Sequence, residues 1–328
     1  MSTLGRRITA LCVMCLTACS QGSANNATNL EREPTVRRYD NFLAAASNGG
    51  QLVSAGGNGV LVTSADGGKT WTREMLPSPS AVVAMSACPD GTFAALDFYR
   101  KVWISDALGH NWQSHSFEGN FNPLAITCAA HNRLWVIGSF STIISSSDHG
   151  KSWSAGPPGQ DAILTAMQWV DADHGFIAGE FGTFLATHDA GATWAKQAGL
   201  PADFYPYAMV FADTLRGWLS SLAGAILHTS DGGNTWAPQT NASASPIYAL
   251  LKVGEQVFGV GGQVLELRGD QWVAVANSSQ IPAHLAAGAS LNSQALLVVG
   301  AGGALQVINM PTSVSRLTAP AIARQDQP

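Results

Sequence analysis

The chain is poor in charge. Asp, Glu, Lys and Arg make up 12% of its 328 residues, about half the share found in an ordinary soluble domain. The net charge is −5 and no cluster of Lys or Arg offsets it, which excludes a general nucleic-acid binder. Long apolar runs are also missing. Ile8–Leu16 is too short to span a bilayer, and no other segment is long and apolar enough. The eight histidines are scattered without H-x-x-x-H spacing, and neither a G-x-S-x-G elbow nor a phosphate-binding loop is present. No cofactor and no metal site is therefore expected. Asp171-Ala172-Asp173-His174-Gly175 starts like a calcium loop, but its glycine comes one residue early and position twelve is Gly182 rather than Glu, so a β-turn is the better reading.

Cysteine is scarce in the body of the chain. Cys12, Cys15 and Cys19 lie in the first 19 residues, leaving Cys88 and Cys128. Arg6 and Arg7 precede the short apolar run, and Leu16-Thr17-Ala18-Cys19 resembles a bacterial lipobox. Residues 1–18 are expected to be a lipoprotein signal peptide, with the bilayer held through lipid on Cys19. Residues 19–34 are small and polar, a flexible tether. Residues 313–328 form a weakly patterned tail. Ser20 after the lipid-bearing Cys19 implies the outer membrane, with the domain facing the periplasm. Cys88 and Cys128 lie 40 residues apart in neighbouring repeats, which invites a disulfide in such a compartment. Repeat alignment argues otherwise: Cys128 matches Ala87 and Cys88 matches Ala129. Positions one apart on a strand face opposite sides, so buried free thiols are expected.

What the chain does have is a period. Trp71, Trp112, Trp153, Trp194 and Trp236 are separated by 41, 41, 41 and 42 residues, with Trp272 a looser sixth member. Such a period fits one small four-stranded sheet with its loops, a unit that buries its faces only by stacking on copies of itself. Ser64-Ala65-Asp66-Gly67-Gly68-Lys69-Thr70-Trp71 fits the Asp-box pattern S-x-D-x-G-x-T-W. Copies ending at Trp153, Trp194 and Trp236 fit with small substitutions, and the copy from Asp106 to Trp112 has one extra residue. Asp66, Asp106, Asp148, Asp189 and Asp231 are expected to accept N–H bonds inside their own turns while the tryptophans pack between sheets. These residues are structural, not catalytic.

Ala84, Ala125, Ala166, Ala208 and Ala249 recur at spacings of 41, 41, 42 and 41 on the expected innermost strands, where crowding near an axis favours small residues. Their large neighbours are expected to fill the gaps between blades. With two degenerate copies near Val257 and Leu296 there are seven units. The expected fold is all-β, a seven-bladed β-propeller with Asp-box turns over residues 35–312. Either Val36–Tyr39 or the tail near Arg316 supplies the last outer strand.

From about Phe42 to Met310 the ensemble resembles the BNR/Asp-box repeat proteins, and more closely the photosystem II stability/assembly factor family. Asp171–Trp194 and Asp213–Trp236 carry its D-x-x-x-G-[FW]-x-x-G…T-x-D-G-G-x-T-W pattern best. The resemblance implies a seven-bladed propeller that acts as an assembly chaperone rather than an enzyme. That family also uses an arginine-rich patch. Here Arg73, Arg100, Arg133, Arg216 and Arg268 occupy different repeat positions, which points to a periplasmic relative with another client. The partner expected is a membrane protein complex.

The alternative is a glycan-binding or sialidase-like propeller. That chemistry needs three converging arginines, and only Arg100 falls on the appropriate loops. A glycosidase pair could be drawn from Glu118, Asp161, Glu180 and Asp203. What remains is a surface. Loops between the second and third strands place Phe98, Tyr99, Arg100, Phe140, Phe181 and Leu222 at matching positions, and loops between blades add Phe117, Phe121, Phe204, Tyr205 and Tyr207. An aromatic rim of this kind fits a protein or peptide partner.

Overall fold

The computed structural model describes residues 34–156, 161–241, 243, 245–276, 278 and 283–310. The expected signal, the Cys19 anchor, the tether up to residue 33 and the tail lie outside the described residues.

The repeat resolves into antiparallel sheets whose strands follow one another in sequence. The first contains β1 (Phe42–Ser47), β2 (Leu52–Gly56), β3 (Val60–Ser64) and β4 (Thr72–Met75). The second contains β5 (Val82–Ala87), β6 (Phe93–Asp97), β7 (Lys101–Ile104) and β8 (Gln113–Ser116). The third contains β9 (Pro123–Cys128), β10 (Leu134–Gly138), β11 (Ile143–Ser146) and β12 (Ser154–Ala155). The fourth contains β13 (Leu164–Trp169), β14 (Gly175–Gly179), β15 (Thr183–Thr187) and β16 (Ala195–Gln197). Next come β17 (Pro206–Phe211), β18 (Gly217–Ser221), β19 (Ile226–Thr229) and β20 (Ala237–Asn241), then β21 (Ile247–Val253), β22 (Gln256–Gly261), β23 (Val264–Arg268) and β24 (Gln271–Ala274). These two units, the fifth and sixth sheets, fuse edge to edge because β20 pairs in parallel with β24. The last sheet contains β25 (Leu285–Asn292), β26 (Ala295–Gly300) and β27 (Leu305–Asn309).

Burial follows the order of strands. Second strands such as Leu52–Gly56, Leu134–Gly138 and Ala295–Gly300 are buried along their whole length, because both faces meet a neighbouring sheet. Outer strands such as Gln113–Ser116 are polar and largely exposed. Apolar cores lie between successive sheets, and one of them joins Leu297 and Val299 of the last sheet to Phe42, Leu52 and Val60 of the first. Each fully buried Leu or Phe contributes about 1.5–3 kcal/mol. The first strands also pack in sequence, β1 on β5, β5 on β9 and onward to β21 on β25, and β25 returns to β1.

Val36–Tyr39 forms no strand. Val36 packs into the core between the last and first sheets, and Asp40 fixes this incoming segment. Asp40 takes two hydrogen bonds from the Arg73 guanidinium, at 2.7 and 3.0 Å, and one from the Arg37 N–H. Its own carbonyl accepts from the Gly303 N–H. Burial alone would raise the Asp40 pKa, but the bonds from Arg73 and Arg37 lower it.

The alanine column extends to Ala44 and Ala287, and each alanine follows an irregularity in the pairing of its first strand. The skipped residues are Leu43, Val83, Leu124, Thr165, Tyr207, Tyr248 and Ala286. All seven line one central cavity of about 400 Å³. Beyond the bulge the second strand comes very close: a Cβ on Gly138 would overlap the Asn122 carbonyl, and one on Gly261 the Pro246 carbonyl.

Two expectations are corrected. Cys88 and Cys128 form a disulfide, with their Cα atoms 5.0 Å apart. Alternation governs residues inside a strand, but Cys88 lies just past the end of β5, in the turn closed by the Gly91 N–H to the Cys88 carbonyl. Its side chain is free to turn toward Cys128 at the end of β9. Trp272 is not a member of the tryptophan series either. It sits within β24, 1% exposed, and donates from Nε1 to Gln239 Oε1, as Trp218 does.

Candidate functional site

The Asp boxes build one end of the first five repeats. Asp66 Oδ1 accepts the N–H groups of Lys69 and Thr70 while Oδ2 accepts the Thr70 hydroxyl at 2.6 Å. Asp148, Asp189 and Asp231 repeat the bonds to Ser152, Thr193 and Thr235. In the longer copy, Asp106 accepts from the N–H groups of Leu108 and His110 and from the Asn111 side chain. Hydrogen bonds to the Thr193 hydroxyl and N–H bring Asp189 down to about 2, and the matching bonds lower Asp66, Asp148 and Asp231. Trp71, Trp112 and Trp153 donate to the carbonyls of Gly68, Gly109 and Gly150. Trp194 and Trp236 pack without such a bond, Trp194 edge-on to Trp135 and Trp169, and Trp236 edge-on to Phe184.

The turns between second and third strands present the rim. Phe98, Tyr99, Arg100 and Phe140 border one cavity of about 410 Å³ together with Asn120, Phe121 and Asn122. Phe98 is 58% exposed, Phe140 60% and Phe181 67%. Phe181 stands on the matching turn of the next sheet, outside that cavity. Arg100 donates to the Gly119 carbonyl at 2.6 Å, which ties it to the loop leaving its own sheet.

Backbone geometry makes this exposure informative. Phe140 has φ 58° and Phe181 φ 56°. The matching turns of the first and last sheets place Asn58 and Gly302 in the same left-handed conformation. Asn and Gly visit this region readily, whereas a bulky side chain there is an outlier. An aromatic that neither suits its turn nor packs inside it is retained for another reason.

Asp97 positions the neighbouring turn. Five of the other sheets end their second strand in glycine at this place; here stands a carboxylate that is 0% exposed. It accepts from the Tyr99 N–H at 2.8 Å, the Trp103 indole at 2.9 Å and the Ala81 N–H at 3.3 Å. Phe98 and Tyr99 then meet edge to face at 5.7 Å.

Residues 158–239 match the family model of the photosynthesis system II assembly factor YCF48. That segment holds repeats like those of the photosystem II assembly factor BNR family. A solved structure of YCF48 bound to D1 peptide is similar with a TM-score of 0.68 and 16% identity, over 85% of this chain and 95% of that one. YCF48 from Cyanidioschyzon merolae gives 0.66 and 18%, over 85% and 97%. A streptogramin B lyase gives 0.69 and 10%, over 84% and 95%. At such identities the likeness establishes the all-β propeller fold. No curated protein matches the chain.

Within this BNR framework several residues expected on the rim belong to the core. Phe117 is 5% and Phe121 7% exposed, stacked on each other at 5.7 Å, and Phe204 packs under the fourth and fifth sheets. Tyr205, Tyr207 and Leu222 do reach the surface, each at least 40% exposed. Of the carboxylates weighed for glycan chemistry, Glu180 accepts from the Ile163 N–H and from Tyr205. Asp171 accepts the N–H groups of Asp173 and His174, as a β-turn requires. Among the described residues, no three of His, Cys, Asp or Glu gather closely enough to hold a metal ion.

Proposed function

We propose that this chain is a non-enzymatic seven-bladed propeller, held by lipid at Cys19 in the bacterial envelope and facing the periplasm. It serves as a scaffold or assembly factor for a membrane protein complex. The observation that carries the reading is the rim: Phe140 and Phe181 stand exposed on turns whose backbone favours Asn or Gly, and Phe98, Tyr99 and Arg100 share a cavity with Phe140. Seven supports the blade count, because the first strands and the cores between sheets each run through seven members and return to the start. The Cys88–Cys128 disulfide supports an oxidising compartment. The central cavity supports binding over glycan hydrolysis, since its lining residues carry no acid or arginine. The BNR family match and the YCF48 bound to D1 peptide support a polypeptide from a membrane protein as the class of partner.

The test is quantitative co-purification from membranes of the full lipidated chain, with crosslinking and identification of the partner. Phe98→Ala, Tyr99→Ala and Phe140→Ala together are expected to abolish recovery of an integral membrane protein while thermal unfolding stays unchanged. Recovery at the wild-type level would remove the rim from the account.

A further inference from the structure

The central cavity is chemically unlike the rim. Its lining is split by the order of the sheets. Leu43, Val83 and Leu124 come from the first three sheets and form an aliphatic arc. Tyr207 and Tyr248 come from the fifth and sixth, across the ring, and meet edge to face at 5.6 Å. Leu124 and Tyr207 are each 40% exposed, so apolar surface remains to be covered.

The polar side of the cavity is equally specific. Among the described residues, none hydrogen-bonds the Tyr207 or Tyr248 hydroxyl, whereas Tyr205 beside them is taken by Glu180. Burial, and then the neighbouring Tyr248, push the Tyr207 phenol upward, so it stays a donor across the physiological range. An occupant must therefore offer acceptors to one arc and apolar surface to the other. It must also be uncharged, because no lining residue compensates a charge and burying one unpaired costs several kcal/mol. Chain termini and acidic or basic side chains fail that condition. An acyl chain lacks the acceptors. An internal peptide turn satisfies all three, with its carbonyls on the phenols and an apolar side chain on the leucines.

We infer that the central cavity seats the uncharged, apolar tip of an internal polypeptide loop, held between the Leu43–Val83–Leu124 arc and the paired hydroxyls of Tyr207 and Tyr248. This deepens the scaffold reading and rests on it for the identity of the partner as protein.

The experiment is fluorescence anisotropy with the full chain and labelled uncharged peptides, blocked at both ends, with Phe, Leu, Asp or Lys at the centre. The Phe and Leu peptides are expected to bind and the Asp and Lys peptides to fail. Tyr207→Phe with Tyr248→Phe keeps both rings and removes both donors. It should weaken binding about fivefold per hydroxyl. Leu124→Asp should abolish it. The rim variants Phe98→Ala and Phe140→Ala should leave peptide affinity unchanged while losing the membrane partner. Rim variants that lose the partner in a protein that binds no peptide would retain the rim and overturn the cavity proposal. Peptide binding indifferent to both cavity variants would overturn it too, as would direct binding of lauric acid by a protein that binds none of the peptides.

Discussion

Phe181 and Phe184 lie three residues apart, yet replacing them should have opposite consequences. Phe184 is 0% exposed, stacked with Phe176 at 5.7 Å and Phe211 at 6.0 Å, and set against the edge of Trp236. Phe184→Ala is expected to cost about 3–5 kcal/mol by lost burial and an unfilled cavity. Phe181 is 67% exposed and has φ 56°. The left-handed backbone costs a bulky residue about 1–2 kcal/mol, which Asn largely avoids. Against this, the covered third of the ring, about 70 Å², contributes about 1.5–2 kcal/mol. The two terms nearly cancel, so Phe181→Asn should move stability by less than about 1 kcal/mol. At roughly 2–4 °C per kcal/mol, Tm should shift by no more than about 3 °C for Phe181→Asn and fall by about 10 °C for Phe184→Ala. Differential scanning fluorimetry measures both, and co-purification of the membrane partner should be lost in Phe181→Asn alone at temperatures where both variants are folded. A Phe181→Asn protein that melts as early as Phe184→Ala would show that the ring is a fold element and refute the argument from the turn.

Three further outcomes follow from the geometry. Asp97→Asn turns one acceptor oxygen into a donor facing other donors, which should cost about 2–3 kcal/mol and loosen the Phe98–Tyr99 turn; chemical denaturation and peptide-partner recovery should both fall. Reducing the disulfide, or replacing Cys88 and Cys128 by Ser, reopens a 40-residue separation and should cost about 3–4 kcal/mol, read as a lower denaturation midpoint. The Asp-box carboxylates titrate below the usual 3.8, Asp189 at about 2. Because folding depresses them, their contribution is intact above 3.8 and disappears as pH falls through the folded value. Tm should thus hold steady down to about pH 5 and drop on further acidification, with a smaller drop and a lower neutral Tm in Asp189→Asn.

The framework was legible because one contact recurs many times. Trp71, Trp112 and Trp153 read the same turn chemistry in register, and the alanine column marks the crowded inner strands. The bulge beside that column was not legible, because the skipped residue is Leu, Val, Thr, Tyr or Ala, with no shared type to betray a shared place. The disulfide was not legible because Cys88 lies one residue past the end of β5, where strand alternation no longer sets the direction of a side chain. Asp97 was hidden because a glycine column with two departures, Asp97 and Ser221, does not say that one of them is a buried acceptor. The left-handed turns under Phe140 and Phe181 did leave a trace: Asn58 and Gly302 occupy their column, and an aligned Asn or Gly announces that backbone whatever residue replaces it. Phe117 and Phe121 misled because loop position says little about which way a ring falls.

The parallel join between β20 and β24 gives the circle a mechanical bias. Among the described residues it is the only place where two neighbouring sheets share a strand-to-strand ladder; elsewhere they adhere mainly through side chains. A closed circle has to part at some boundary before it can unravel, and this arc is the one best welded. Breathing motions should therefore concentrate away from this join, at the boundary where the chain closes the circle, held by the Gly303 N–H on the Asp40 carbonyl and the core shared by Val299 and Phe42, and amide exchange would be fastest there.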